Sequence, residues 1–255
     1  MFPLIHHFVN KKIYSAPSPL MIIGGMWPDL ASGAIPHDRS QGNRLRNLVH
    51  RNGEAFYHWC QKHTPDSLDL ARGIVSHGLC PKGVDYYADE VWPGCAKGWC
   101  FAIGGRYVHL VAEATKMPPG YRWWKAHNFV EMSYDLLAQE ENPTLSDELL
   151  AAVQDEAALT QAATVLSSYY QLEKEDLTAL FHRIPQIYAI DHPTPLMLAQ
   201  RQKKSFAFKP GITQSEASIS AMAELLERMK AELQDNYHAF MARLLELLTP
   251  DLSRY

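Results

Sequence analysis

From Ile219 to Leu248 the apolar residues return at every third or fourth position. Ile219, Met222, Leu226, Met229, Leu233, Tyr237, Phe240, Leu244 and Leu248 form one stripe. That period matches 3.6 residues per turn and cannot lie on one side of a strand. The stripe predicts one long amphipathic helix. Thr213 and Glu216 stand three apart ahead of it, as a capping box requires. Pro250 marks its predicted end. Such a face packs inside its own chain or against a second copy, so a homodimer through this helix stays open.

The same reading makes most of the chain helical. Leu45, Leu48, Val49, Ala55, Phe56 and Trp59 predict a helix over 43–63, weakened but not ended by Gly53. Asp66 or Ser67 caps a second, with Leu70, Ile74 and His77 on one face and Pro81 and Gly83 beyond its end. A third starts after Pro118–Pro119–Gly120 and runs to about Gln139. Residues 142–172 give one or two more and residues 173–190 another, before a loop and the irregular stretch "KKSFAFKPG". Residues 81–120 are rich in Gly and Pro with aromatics between them, and "RYVHLVA" there reads as strand or short helix. The expected fold is an all-α multi-helix bundle with an irregular insertion around 81–120, which could wall a pocket. With 255 residues and 47% hydrophobic content, the chain is read as a single helical domain. Residues 1–140 would carry the chemistry and 141–255 complete the bundle.

Net charge is −4 and mixed along the chain, which argues against a dedicated nucleic-acid binder but not against a small phosphorylated substrate. The apolar run "PLMIIGGMW" is far short of the ~20 residues of a membrane span. "GGMWPDL" is a poor signal-peptide cleavage site, so the expected location is cytoplasmic. Cys60, Cys80, Cys95 and Cys100 form no CxxC pair and read as reduced, partly buried thiols. GxSxG, P-loop, GxGxxG and HExxH motifs are absent. Trp123 and Trp124, with Tyr121 beside them, read first as anchors of their helix in the core and second as the wall of a lipid or base pocket.

"KAHNFVEMSYD" raises the chemical question. His127 and Glu131 lie four apart, about 40° around a helix, so both can reach one ion. Asp135, a turn further, could bind or orient a ligand. Alone, the pair reads equally as an ordinary helix hydrogen bond. Elsewhere "HHFV" offers His6 and His7. Asp29 follows Pro28 as a helix N-cap or a functional acid. His50 and His77 lie on the inner sides of their helices. Buried imidazoles need partners, and zinc would satisfy several at once. "PHDRS" supplies an adjacent His37–Asp38 pair, as HD-type phosphohydrolases require, but in a polar loop that could line a cleft.

In chain order, "LIHHF", "IGGMWPDL", "LVHRNGEAFYHW", "LARGIVSHGL" and "HNFVEMSYD" resemble the motif series of the zinc-dependent phospholipase C family, whose helical fold is shared with P1-type nucleases. The resemblance covers roughly residues 1–140. It implies a bundle of the phospholipase C/P1 nuclease type holding one to three ions, with Zn2+ first and Fe or Mn as alternatives. Asp29, His50 and His77 would form one ligand group, His127 and Glu131 another, and His6 (or His7) would serve the remaining position. Metal-activated water would attack the phosphorus of a small phosphoester or phospholipid, with Asp29 as the catalytic acid–base group. The chain departs from the family where an Asp and a His are expected, at Pro81 and Tyr87. Asp85 or Asp89 could substitute if the chain turns after Pro81 and Gly83. A rival reading is a non-catalytic binding or assembly protein on the same scaffold.

Overall fold

The computed structural model describes residues 3–188, 191–207 and 215–255, apart from the side chains at 205 and 207. Fifteen α-helices and no strand occur among them, so the chain is an all-α bundle. The first five helices are α1 (Pro3–Tyr14), α2 (Pro19–Leu30), α3 (Arg39–Arg51), α4 (Gly53–His63) and α5 (Leu68–His77). Local chemistry sets several of their ends. Ser18 caps α2 by accepting from the Met21 N–H, with Pro19 at the first helical position. Asp38 caps α3 by accepting from the Ser40 and Gln41 N–H groups at 2.9 and 3.0 Å.

The helix expected over 43–63 is two helices. Asn52 leaves helical geometry (φ −117°, ψ 20°), and its amide donates to the Tyr169 hydroxyl at 2.8 Å. The break thus falls one residue before Gly53. Neither Asp66 nor Ser67 caps α5 through its side chain; a 3-10 turn over Pro65–Ser67 leads into it instead. α2 and α5 approach until their backbones touch. A Cβ on Gly73 would lie 2.2 Å from the Met21 carbonyl oxygen and 2.6 Å from the Gly25 nitrogen. This contact fixes the end of α5 against α2.

The 81–120 region alternates turns with short helical pieces: a π-helical turn at Tyr86–Glu90, then α6 (Trp99–Gly104) and α7 (Val108–Thr115). "RYVHLVA" is helical, not strand. The long α8 (Pro119–Glu141) follows, then α9 (Leu145–Ala152), α10 (Glu156–Tyr170), α11 (Lys174–Phe181), α12 (Ile184–Tyr188) and α13 (Pro195–Ala207). α13 absorbs the first five residues of the stretch expected to be irregular.

The stripe that opened the reading is carried by α14 (Glu216–Glu232) and α15 (Gln234–Leu252), not by one helix. Leu233 between them has φ −99° and ψ 3°. Ser215 caps α14 by accepting from the Ser218 N–H at 3.1 Å; Thr213 lies outside the described residues. Pro250 does not end the last helix, which continues to the fully buried Leu252. All nine stripe residues are buried in a continuous apolar core that draws on both halves of the chain. Among the described residues no helix is long and apolar enough to cross a membrane.

Candidate metal centre

Asp29 sits in the last turn of α2 and is therefore not an N-cap. α3 supplies His50 near its C-terminal end, and the His50 Nδ1–H donates to the Arg46 carbonyl at 2.7 Å. α5 ends in His77, whose Nδ1–H donates to the Gly25 carbonyl on α2 at 2.6 Å. A carbonyl can only accept, so both rings carry their proton on Nδ1. Each Nε2 is thereby turned toward the neighbouring carboxylates, where it can offer a lone pair to an ion once it carries no proton.

After α5 the chain turns sharply. A Cβ on Gly83 would fall 2.5 Å from the Ser76 carbonyl oxygen, so only glycine lets the returning strand of backbone lie under the end of α5. That turn brings Asp85 back to His77. One Asp85 oxygen lies 3.0 Å from His77 Nε2 and 3.4 Å from His50 Nε2; the other lies 3.4 Å from His6 Nε2. Asp29 Oδ1 is 3.8 Å from His50 Nε2. Asp29, His50, His77 and Asp85 each present a ligand atom within 4.8 Å of the others.

These separations fit a metal. Two ligands on a tetrahedral zinc at ~2.0–2.1 Å are ~3.3 Å apart. An imidazole nitrogen facing a carboxylate oxygen at that distance needs a proton or a metal ion between them, and an ion would displace the proton. His77 Nε2 is buried and makes no hydrogen bond. Two nitrogen and two oxygen donors suit zinc and other first-row divalent ions.

His6, on α1, is buried and stacks on His77 with ring centroids 3.9 Å apart and planes 7° from parallel. Burial, with the His77 ring beside it, lowers its pKa to about 4, so it is neutral and able to act as a ligand. His7 points away to Glu148 at 2.7 Å, so of the two only His6 faces Asp85. Burial opposes ionisation of Asp29, but the neighbouring His50 and His77 rings hold the carboxyl below the usual range. Burial likewise opposes charge on His50, yet Asp29 and Asp85 raise it to about 10.

A second group stands beside the first. His127 Nε2 and Glu131 Oε1, on one face of α8, are 3.5 Å apart. Asp89, from the π-helical turn, brings the ligand atoms of all three within 4.8 Å. Burial, with the charges of Glu131 and Asp85, pushes the Asp89 carboxyl well up. A divalent ion would relieve that crowding of acids. The Asn128 amide donates to Glu131 Oε2 at 2.9 Å and lies 3.1 Å from His127 Nε2, covering the two acceptors that an ion would take. Burial lowers His127 to about 4, against the opposing charge of Glu131.

All six expected ligands, His6, Asp29, His50, His77, His127 and Glu131, therefore meet in one region. Asp85 and Asp89 stand in the same two groups, while Pro81 and Tyr87 offer no ligand to either. Asp135 belongs to neither group; its Oδ1 accepts from the Ile5 N–H at 3.1 Å, holding the first turn of α1 next to His6. His37 and Asp38 do not line the cleft, since Asp38 is spent as the cap of α3.

The cleft measures about 520 Å³ and is also lined by Arg46, Asn47, Arg51, Leu79, Glu90, Trp124, Lys125 and Asn128. Trp123 and Trp124 are not core anchors: each is 49% exposed, and Trp124 sets its edge against the His127 ring at 4.9 Å. Sequence reasoning missed Arg46, Arg51, Lys125 and Asn128. For two of them a signal existed, since Lys125, Asn128 and Glu131 repeat at three-residue spacing on α8. No protein-family model, no curated protein and no solved structure matches this chain.

Proposed function

We propose that the protein is a metal-dependent hydrolase that cleaves a phosphoester, as the resemblance to the phospholipase C motif series implies. The observation that carries this reading is the Asp85 carboxylate. It stands among three imidazoles, two of them locked by backbone carbonyls so that their Nε2 atoms face it. Asp29, His50, His77 and Asp85 would hold one ion and Asp89, His127 and Glu131 a second, with His6 against the free side of Asp85. Three protein ligands leave open positions at the second ion, as catalytic zinc sites do. Bound zinc supplies Lewis acidity and brings the pKa of a coordinated water to about 7.

The chain's own residues do the rest. Asp29 is kept ionised and opens onto the cleft, where it can take a proton from an attacking water. The lining carries five carboxylates against three cationic side chains. Two divalent ions turn that deficit of two charges into an excess of two, so the loaded cleft attracts an anion. Lys125, on the cleft wall, can then neutralise a phosphoryl oxygen of the scissile group.

The test is metal analysis of protein purified without chelator, followed by hydrolysis of bis(p-nitrophenyl) phosphate. About two divalent ions per chain are expected, with activity collapsing in His127→Ala and Asp29→Asn. Bound metal with no ester cut would instead support a binding role on the same scaffold. Protein without metal, whose two variants are as stable as the parent, ends the metal-centre reading.

A further inference from the structure

Resting on that reading, we infer that Arg46 and Arg51 form a second anion subsite, so that the preferred substrate is a phosphoester bearing an additional phosphate. Both side chains line the cleft with the metal-binding carboxylates. Yet neither forms a salt bridge among the described residues; Asp29 and Asp85 face imidazoles instead. Residues 46, 47, 50 and 51 share one face of α3, and all four line the cleft. The arginines therefore flank His50 on the face it presents, about 7.5 Å apart along the helix axis.

The ordinary explanation for a cation near a helix C-terminus is the helix dipole. It accounts for Arg51, the last residue of α3, but not for Arg46 more than a turn earlier. α3 contains four arginines and no acidic residue, so nothing on the helix itself engages them. Two open guanidinium groups match the oxygens of a phosphate, which they can grip with paired hydrogen bonds. The ions would take the scissile phosphate, leaving the arginines for a second one.

The experiment compares two chromogenic diesters on zinc-loaded protein: thymidine 5′-(p-nitrophenyl phosphate) and the same compound carrying a 3′-phosphate. The 3′-phosphorylated ester should show roughly tenfold higher kcat/KM, expressed mainly in KM. In Arg46→Gln/Arg51→Gln, both exposed positions that do not threaten the fold, the ratio should fall to about one. A ratio near one in the parent, or a tenfold ratio that survives in the double variant, overturns the subsite. If neither ester is cut, the hydrolase reading fails separately. Calorimetry with thymidine 3′,5′-bisphosphate against thymidine 5′-phosphate then decides the subsite by the same ratio.

Discussion

Gly73→Ala should damage both fold and metal centre, and the structure sets the size of the effect. The added methyl would meet the Met21 carbonyl oxygen at 2.2 Å, the Gly25 nitrogen at 2.6 Å and the Gly24 carbonyl carbon at 2.9 Å. All three are backbone atoms, so no side chain can rotate away. A carbon and a carbonyl oxygen need about 3.3 Å, so α2 and α5 must part by roughly 1 Å. The bond from His77 Nδ1 to the Gly25 carbonyl, 2.6 Å long, spans that same gap and would stretch to the edge of hydrogen-bond range. Overpacking costs about 1–3 kcal/mol and the weakened buried bond about 1. The sum, about 2–4 kcal/mol, is a large part of the ~5–15 kcal/mol that holds a domain together. Urea unfolding of chelated protein measures it without a contribution from bound metal. Zinc content should fall by about one equivalent, because His77 loses its orientation while Asp89, His127 and Glu131 are untouched. Gly120→Ala is the control: nothing lies within 4 Å of its added carbon, and it should leave stability unchanged or raise it by about 0.5 kcal/mol. A Gly73→Ala protein with the parent's urea midpoint and full zinc would refute the reasoning.

Asp85→Asn keeps the side-chain shape and removes the central charge. It should lose the ion held with Asp29, His50 and His77, and in chelated protein NMR should show the His50 pKa falling from its raised value of about 10. Chelation of the native protein should lower Tm, since an ion at 100 times its Kd adds about 2.7 kcal/mol. For a chain this long that is roughly 5–10 °C, and an unchanged Tm would contradict bound metal. Glu148 ties α9 to α1. Burial opposes its charge, but hydrogen bonds from Lys11, Thr144 and His7 lower its pKa to about 2. A depressed carboxyl stabilises the fold above its unfolded pKa of about 4.5 and loses that contribution as pH falls toward 2. Glu148→Gln should therefore flatten the urea midpoint between pH 5 and pH 3, and an identical slope in parent and variant would count against the link.

Periodicity alone settled the fold class, because a stripe at helical spacing has only one way to bury itself. Ordered short motifs likewise singled out the candidate ligands His6, Asp29, His50, His77, His127 and Glu131, and two residues four apart on a helix share a face whatever surrounds them. Helix ends were less legible. The breaks at Asn52 and Leu233 leave the apolar pattern undisturbed, so nothing in the pattern announced them. Exposure was misjudged for Trp123 and Trp124, because burial depends on what packs opposite and not on the residue. Only the folded chain could decide that Asp85 and Asp89, eight and twelve residues after His77, come to stand among the candidate ligands. That outcome hangs on Gly83 passing under the end of α5, a contact between distant backbone atoms that spacing along the sequence does not encode. The open guanidinium groups of Arg46 and Arg51 were invisible for the same reason: a charge is unpaired only with respect to neighbours that the fold supplies.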